Sequence, residues 1–349
     1  MSRGDAIIQE RPPAERRAGG QEAILRVEDL TTVFPGGRGV FTPVNGVSLD
    51  LRPREILGLV GESGSGKSMT LRSILRLVPP PGATVHGRVW LEERDLLSLS
   101  KREMRGVRGR EISMVFQDPR SALDPVYTVG DQIMESLGHH LGLTGTDARS
   151  AALDLLRRVG ISAPEQRLDA YPHQLSGGMR QRVMIAIAIS CHPKVLLADE
   201  PTTALDVTIQ DQILALLLEL QEEFHMAVLL VSHDIGVVAE TCDRVAVMYA
   251  GQIMETGSVQ DLLRSPAHPY TIALLQALPD APGNVRGGRL TPIRGQPPDL
   301  EALPPGCPFQ PRCPHAREAC AEVPMSLEGI APGHATACPI HRPQGGEWS

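Results

Sequence analysis

Residues 61–68 have the sequence Gly61-Glu62-Ser63-Gly64-Ser65-Gly66-Lys67-Ser68, which fits the pattern G-x-x-x-x-G-K-[ST] of phosphate-binding loops. The preceding residues 55–60 form a short apolar run that predicts a buried strand, and residues 69–78 carry apolar side chains at helical spacing. A strand, a glycine-rich loop and a helix in this order favour a nucleotide site, because the N–H groups of the loop and the N-terminus of the helix attract phosphate.

The residue types in this loop predict individual roles. Lys67 is expected to reach the β- and γ-phosphates, and Ser68 is expected to hold Mg²⁺. We assign ATP binding to every residue of the loop and to Met69. The alternative is a glycine-rich turn with a chance lysine, but the chain has only three lysines, which are Lys67, Lys101 and Lys194.

The composition limits the class of protein. The chain of 349 residues has a net charge of −7 and therefore lacks the overall basic field that favours nucleic acid. Its apolar runs are all shorter than the roughly 18 residues of a membrane-spanning helix. We predict a disordered tail at residues 1–22, which lack the apolar segment of a secretory signal. A cytoplasmic, reducing location is expected, in which the six cysteines form no structural disulfides.

Two predicted strands end in polar side chains. Residues 111–116 form an apolar run that ends at Gln117, and residues 195–199 form one that ends at Asp199 and Glu200. Downstream of a phosphate loop, such an acidic strand end is where a Mg²⁺-associated aspartate belongs, so Asp199 takes that role. Glu200 is then placed to polarise an attacking water. The alternative is a pair of surface acids that cap a strand.

His233 follows another predicted strand, at residues 227–231, on the edge where ligands collect in open α/β sheets. It is a candidate to hydrogen-bond a γ-phosphate oxygen, although a lone histidine is usually structural. Ser176, Gly177 and Gly178 begin a predicted helix and form either an anion site or, through Ser176, a simple helix cap.

Other stretches complete the predicted organisation. Residues 129–159 show helical spacing, and a helix is expected from Thr203 to about residue 224. Residues 245–249 and 251–255 predict a terminal hairpin of short strands. Phe34 and Phe41 each either stack on an adenine ring or make an ordinary apolar contact.

Together these motifs resemble the nucleotide-binding subunit of an ATP-binding cassette (ABC) transporter over about residues 23–258. The motifs are the phosphate loop, the glutamine Gln117, the signature 175–181, the acidic strand 195–200, the loop 204–206 and the switch histidine His233. In the signature, Met179-Arg180-Gln181 stands where many members place Gln directly after the glycines. The resemblance implies an α/β fold with a RecA-like P-loop core, an antiparallel β subdomain, a helical subdomain at about 125–190 and a Cys/Pro-rich C-terminal extension at 259–349.

The same resemblance implies that two such domains pair head to tail around two ATP molecules. Around each ATP, one domain contributes Lys67, Ser68, Gln117, Asp199, Glu200 and His233. Mg²⁺ is implied to bind through Ser68, Gln117 and Asp199. The opposite domain contributes its signature residues, Ser176, Gly177, Gly178 and Gln181. Asp206 belongs to a loop at the dimer contact.

A narrower resemblance comes from residues 116–125, 171–186, 268–271 and 306–314. These stretches are similar to the ATPase subunits of oligopeptide, dipeptide and nickel importers. This implies a peripheral subunit on the cytoplasmic face of the cell membrane. Its implied partners are a homologous second ATPase subunit, two transmembrane permease subunits and an extracytoplasmic substrate-binding protein, with peptide as the expected cargo and nickel or another small solute as the alternative.

The C-terminal segment contains four cysteines, Cys307, Cys313, Cys320 and Cys338. Their spacing fits neither a short zinc ribbon nor the bacterial ferredoxin run, so spacing alone identifies no metal. A Pro-rich segment with few apolar residues still favours a metal staple. The resemblance implies a [4Fe–4S] cluster on these four residues. The alternatives are free thiols, or zinc with mixed ligands drawn from His315, His334 and His341.

Two other classes of protein fit the sequence less well. A soluble ABC ATPase that acts on nucleic acid or ribosomes is disfavoured by the single cassette, the acidic balance and the lack of sustained heptads. A regulatory cassette that binds ATP without hydrolysing it is disfavoured by the presence of Glu200 and His233.

Overall fold

The computed structural model describes residues 22–37, 39–78, 82–203, 205–278, 292–322, 325–338 and 340. The predicted N-terminal tail therefore lies outside the described residues, apart from its last position. The strands are β1 (Leu25–Pro35), β2 (Val40–Leu51), β3 (Ile56–Val60), β4 (Thr84–Leu91), β5 (Arg94–Asp95), β6 (Ile112–Val115), β7 (Val195–Asp199), β8 (Ala227–Ser232), β9 (Arg244–Tyr249), β10 (Gln252–Ser258), β11 (Glu328–Ala331) and β12 (His334–Thr336).

The helices alternate with these strands and also form a separate group between β6 and β7. They are α1 (Lys67–Ile74), α2 (Lys101–Val107), α3 (Pro119–Ala122), α4 (Val129–Leu141), α5 (Gly145–Arg158), α6 (Pro164–Leu168), α7 (Gly177–Ile189), α8 (Val207–Phe224), α9 (Ile235–Thr241), α10 (Val259–Arg264), α11 (Pro269–Gln276) and α12 (Ala319–Glu322). Among the described residues, no helix is both long enough and apolar enough to cross a membrane.

The larger sheet has eight strands in the order β11-β12-β10-β9-β3-β8-β7-β6. Its centre is parallel, with β3 paired to both β8 and β9 and with β7 paired to both β6 and β8. Every residue of β3, β6, β7 and β8 is buried, which explains their continuous apolar sequences. Since these strands are parallel, the polar residues that follow β3, β7 and β8 collect at one edge of the sheet.

The second sheet and the helical insertion confirm the predicted architecture. The smaller sheet has four antiparallel strands in the order β2-β1-β4-β5. The insertion packs α4, α5, α6 and α7 around apolar side chains that are almost fully buried, including Ile133, Leu156 and Val183. Its helices follow the apolar spacing seen in the sequence.

Two predicted helix boundaries are wrong. The helix after the phosphate loop starts at Lys67 and ends at Ile74, before the predicted residue 78, because Arg76 adopts a left-handed conformation with φ of 53°. The helix predicted from Thr203 starts at Val207, after an extended N-cap residue, Asp206. Thr203 instead lies in a turn, where its hydroxyl binds Glu200.

The C-terminal extension continues the larger sheet. Strands β9 and β10 form the predicted hairpin, but this hairpin is not terminal, because β12 pairs with β10 through Glu255 and Thr336. The carboxylate of Glu255 is fully buried and accepts hydrogen bonds from the N–H groups of Ala267 and His268. Its Oε1 also lies 2.7 Å from His334 Nε2. Residues on both sides of the predicted boundary at residue 258 thus share one sheet and one buried polar network.

Candidate active site

The phosphate loop leaves the end of β3 and leads into α1 through two positions that only glycine fits. A Cβ atom on Gly61 would lie 2.1 Å from the carbonyl oxygen of Met248, and one on Gly66 would lie 2.0 Å from that of Pro43. Gly66 also has a φ of 105°. Close approach of backbone on both sides therefore requires these two glycines.

Lys67 is buried, with 5% of its surface exposed, and its ammonium points back into the loop. Its Nζ donates to the carbonyl oxygens of Gly61 at 2.8 Å and Glu62 at 2.9 Å. Burial lowers the pKa of Lys67, while the carboxylates of Glu200, Asp199 and Glu62 act to raise it. A cation enclosed by loop carbonyls, with acidic groups nearby, is suited to exchange these contacts for phosphate oxygens.

Ser68 and Asp199 meet where α1 begins and β7 ends. The Ser68 hydroxyl donates to Asp199 Oδ1 at 2.7 Å. Asp199 is 1% exposed, and its Oδ2 is buried with no hydrogen-bond partner among the described residues. Burial raises the pKa of Asp199, and the Ser68 hydrogen bond acts to lower it. A hydroxyl oxygen beside an unsatisfied carboxylate oxygen fits a hard cation such as Mg²⁺.

One oxygen of Glu200 is the meeting point of three side chains. Gln117 Nε2 donates to Glu200 Oε2 at 3.0 Å, the Thr203 hydroxyl donates to it at 2.7 Å, and His233 Nδ1 lies 3.2 Å away. Glu200 has a φ of 43°, a left-handed conformation that non-glycine residues seldom adopt. The structure thus brings the predicted Gln117, Glu200 and His233 together and adds Thr203, which the sequence patterns missed.

The signature residues lie at the start of α7. Ser176 caps this helix by accepting the N–H of Met179. Ser176 and Gly177 are exposed and Gly178 is half-buried, so their backbone is open to a ligand or partner. Gln181 is 2% exposed, and its Nε2 has no partner among the described residues. Asp206 is exposed, just before α8.

The aromatic candidates face each other across β1 and β2. Phe34 pairs with Phe41 in the strand register, and their ring centroids are 5.9 Å apart. Both rings are half-buried. Phe41 is close in sequence to Pro43, whose carbonyl abuts Gly66. Met69, by contrast, packs its side chain against the apolar cluster that β1, β2 and α1 share.

The four C-terminal cysteines are close enough for their charges to interact, but they do not form a metal site. The pKa of Cys338 is raised to about 12, mainly by burial and in part by Cys307, Cys313 and Cys320. Within the described ranges, no group of three or more His, Cys, Asp or Glu side chains is placed to hold a metal ion. Of the alternative ligands, His334 contacts Glu255 and His341 lies outside the described residues.

A second contact missed from the sequence joins the phosphate loop to the extension. Arg312 Nη1 lies 2.6 Å from Glu62 Oε2, and Arg312 Nη2 lies 3.1 Å from Glu62 Oε1. No local sequence pattern predicts this ion pair, because the two residues are 250 positions apart.

The fold and these contacts define a class. A glycine-rich loop around a buried lysine, with an acidic strand end alongside, is the arrangement of a P-loop nucleotide hydrolase.

Comparison with known proteins makes this class more specific. The family described as "ABC transporter" matches residues 44–203, and the family described as "Oligopeptide/dipeptide transporter, C-terminal region" matches residues 254–320. A probable peptide ABC transporter ATP-binding protein of Sinorhizobium fredii is 51% identical over 91% of this chain and 95% of its own length. A dipeptide transport ATP-binding protein of Bacillus subtilis is 51% identical over 86% of this chain and 90% of its own.

Two further comparisons agree. An oligopeptide transport ATP-binding protein of Salmonella typhimurium is 46% identical over 97% of this chain and 98% of its own. An ATP-binding cassette solved as a dimer in a post-hydrolysis state with ADP and Pi has a TM-score of 0.61 and 30% identity, over 67% of this chain and 98% of that one. The chain therefore belongs to the ABC transporter family, as one of its ATP-binding, ATP-hydrolysing proteins.

Proposed function

We propose that this chain is the ATPase subunit that energises the import of di- and oligopeptides through separate permease subunits. The main observation behind this proposal is that two features occur in the same chain. The predicted ATPase residues Ser68 and Asp199 are in contact, as are Gln117 and Glu200, and residues 254–320 match the C-terminal region of oligopeptide and dipeptide transporters. Relatives that align over nearly the whole chain carry names of peptide transport.

The contacts in the site support a role for each residue. Lys67 leaves the carbonyls of Gly61 and Glu62 to bind phosphate oxygens. Ser68 and Asp199, with Gln117, would hold Mg²⁺, which would neutralise charge on the phosphates. Glu200 orients and deprotonates the attacking water.

The side chains that contact Glu200 come from the segments that follow β6, β7 and β8, which supports coupling between these three segments. Gln117, Thr203 and His233 hold Glu200 Oε2 in one place, so each of them can respond when ATP binds. Gln117 leads into the helical insertion, which makes it the natural link between ATP binding and movement of that insertion.

The open signature supports pairing with a second ATPase subunit. Ser176 and Gly177 are exposed at the N-terminus of α7, where backbone N–H groups attract an anion. In the proposed head-to-tail dimer they contact the ATP of a homologous partner, with Gly178 behind them. Gln181 supports this surface from inside, since its side chain is buried. Asp206 lies in the exposed loop at the contact. Phe34 and Phe41 are proposed to border the adenine, with Phe41 nearer the loop.

A groove beside Gln117 is the proposed docking place of a permease. It has a volume of about 220 Å³ and lies between the parallel core and the helical insertion. Apolar side chains from both units line it, including Leu75, Met114, Phe116, Met184 and Ile187. We propose that a cytoplasmic segment of each permease subunit fills this groove, which would place the chain at the cytoplasmic face of the membrane, opposite an extracytoplasmic substrate-binding protein.

The four-cysteine segment is proposed to take up a metal centre in the cell, with [4Fe–4S] preferred over zinc. Four cysteines in one segment, close enough to interact electrostatically, support this, and thiolates are the ligands that iron–sulfur clusters need. Their described positions do not coordinate a metal, so no step of hydrolysis is assigned to it. Iron and acid-labile sulfide in anaerobically purified protein would support the cluster, and zinc alone would support the alternative. The absence of iron, sulfide and zinc would refute both proposals.

The import proposal is tested by reconstitution. The chain, its homologous subunit and two permeases are placed in vesicles with ATP on the cytoplasmic side, and a peptide-loaded binding protein is added on the other side. We expect peptide to accumulate on the ATP side and ATP hydrolysis to rise with loaded binding protein. Movement of peptide away from the ATP side would contradict import.

A further inference from the structure

Arg312 connects the cysteine-containing extension to the phosphate loop. Its two Nη groups bind the two oxygens of Glu62, and Nη1 also donates to the Tyr249 hydroxyl at 3.1 Å. Its Nε donates to the carbonyl oxygen of Arg294 at 2.8 Å. The guanidinium group thus links Arg312 to Glu62 and Tyr249 of the ATPase core and to Arg294 of the extension.

This contact is well shielded from water. The Arg312 side chain is 5% exposed and that of Glu62 is 24% exposed. The guanidinium lies 5.7 Å from the ring centroid of Tyr249 and 5.9 Å from that of Phe309. Although burial acts to lower the pKa of Arg312, its hydrogen bonds to Glu62 and Tyr249 raise it above the ordinary value. A bidentate, partly desolvated pair of this kind is far stronger than an exposed ion pair.

Glu62 is held by the extension at a second point. Its N–H donates to the hydroxyl oxygen of Tyr270 at 2.8 Å, and Tyr270 is fully buried in α11. The carbonyl of Glu62 accepts from Lys67 Nζ. Side chain, N–H and carbonyl of one loop residue are therefore fixed by Arg312, Tyr270 and the phosphate-binding lysine.

We propose that Arg312 is a positioning residue for the phosphate loop, which makes ATP affinity depend on a folded C-terminal extension. The proposal rests on the assigned role of residues 61–68 in binding ATP. Lys67 must exchange the Glu62 carbonyl for phosphate oxygens when ATP binds. The position in which Arg312 and Tyr270 hold Glu62 therefore determines how closely the loop conformation fits the nucleotide. Arg312 directly precedes Cys313, so order in the cysteine segment can reach the loop through the Arg312 side chain.

The test compares ATP dissociation constants of the full-length chain, measured with a non-hydrolysable ATP analogue and Mg²⁺. The variants are R312Q, R312K, E62Q, the double variant R312Q/E62Q and the control R317A. Arg317 is exposed on the same extension and lies outside the proposed site. Melting temperatures are recorded for all of them.

We expect R312Q and E62Q each to weaken binding about tenfold, a loss of about 1.4 kcal/mol. The double variant should be no weaker than either single one, because both remove the same pair. R312K should fall between wild type and R312Q, since an ammonium replaces only part of the fork. R317A should bind as wild type does.

If Arg312 only stabilises the fold, the variants should give different binding and melting results. If R312Q lowers the melting temperature but binds the analogue as tightly as R317A, or if the two single effects add, the positioning role is overturned. E62Q gives an independent reading if R312Q fails to fold. If wild type itself binds no analogue, the ATP-binding assignment of residues 61–68 fails, and this inference falls with it.

Discussion

The Ser68 hydroxyl donates a hydrogen bond to Asp199 Oδ1 at 2.7 Å, although 131 positions separate the two residues. The parallel sheet creates this proximity, because β3 and β7 both pair with β8 and end at the same edge. The phosphate loop and the acidic strand end are thereby joined into one site.

The Ser68–Asp199 contact predicts a Mg²⁺ defect in S68A. Loss of the hydroxyl removes the proposed Mg²⁺ ligand and also the hydrogen bond that acts to lower the pKa of Asp199. We expect the Mg²⁺ concentration for half-maximal ATP hydrolysis to rise about tenfold or more. S68T keeps the hydroxyl and should behave nearly as wild type. Equal Mg²⁺ dependence in S68A and wild type would refute the assignment.

E200Q should bind ATP and lose hydrolysis. Glutamine keeps the shape of Glu200 but accepts no proton from water, so the hydrolysis rate should fall by about 10²-fold or more. Binding and single-turnover hydrolysis are measured on the same sample. E222Q on the exposed face of α8 is the matched control. A single-turnover rate in E200Q close to that of E222Q would show that another group is the base.

G66A should abolish nucleotide binding. Its Cβ would lie 2.0 Å from the Pro43 carbonyl oxygen, and the φ of 105° is strained for alanine. The loop must then move away from β2 or distort. G106A on the exposed surface of α2 meets no atom within 4 Å and serves as the control. It should keep binding and gain up to about 1 kcal/mol of stability. Wild-type affinity in G66A would contradict the described loop.

His268 predicts a pH-dependent stability. Burial lowers its pKa to about 4 from 6.5, with Glu255 acting to raise it, so the folded state keeps it neutral where the unfolded state takes up a proton. The unfolded state therefore binds more protons between these two pH values, and the free energy of unfolding should fall by roughly 3 kcal/mol as pH drops from 6.5 to 4.

H268N isolates this contribution. His268 caps α11 by accepting the N–H of Tyr270 at Nδ1, and an asparagine oxygen is an effective cap that does not titrate. Denaturant titrations at pH 7, 6 and 5 should show a shallower pH dependence for H268N. Parallel curves for the two proteins would mean that His268 does not titrate as described.

Most residues of the proposed nucleotide site could be predicted from the sequence, because each lies in or directly after a short local motif. Its residues follow apolar strands, as Gln117, Glu200 and His233 do, and parallel strands deliver such residues to one edge. Thr203 was missed because a helix was expected there, whereas its hydroxyl binds Glu200 and α8 starts later. The geometry of a turn depends on such side-chain contacts, which carry no periodic signal.

The attachment of the extension was not predictable from local patterns. Glu62 and Arg312 pair across 250 positions, and Glu255 and His334 across 79. Nothing in the local sequence around these residues indicates which partner each one contacts. The pairing of β12 with β10 brings His334 to the buried Glu255.

Peptide uptake in cells that lack this chain tests the account most directly. Labelled dipeptides, longer peptides and nickel are supplied to cells that express wild type or E200Q at equal levels. We predict that wild type restores uptake of one peptide class and that E200Q does not, because import needs hydrolysis at Glu200. Uptake of all three that is unaffected by loss of the chain, or restored equally by E200Q, would contradict its role as a peptide-import ATPase, while restoration of nickel alone would replace peptide as the cargo.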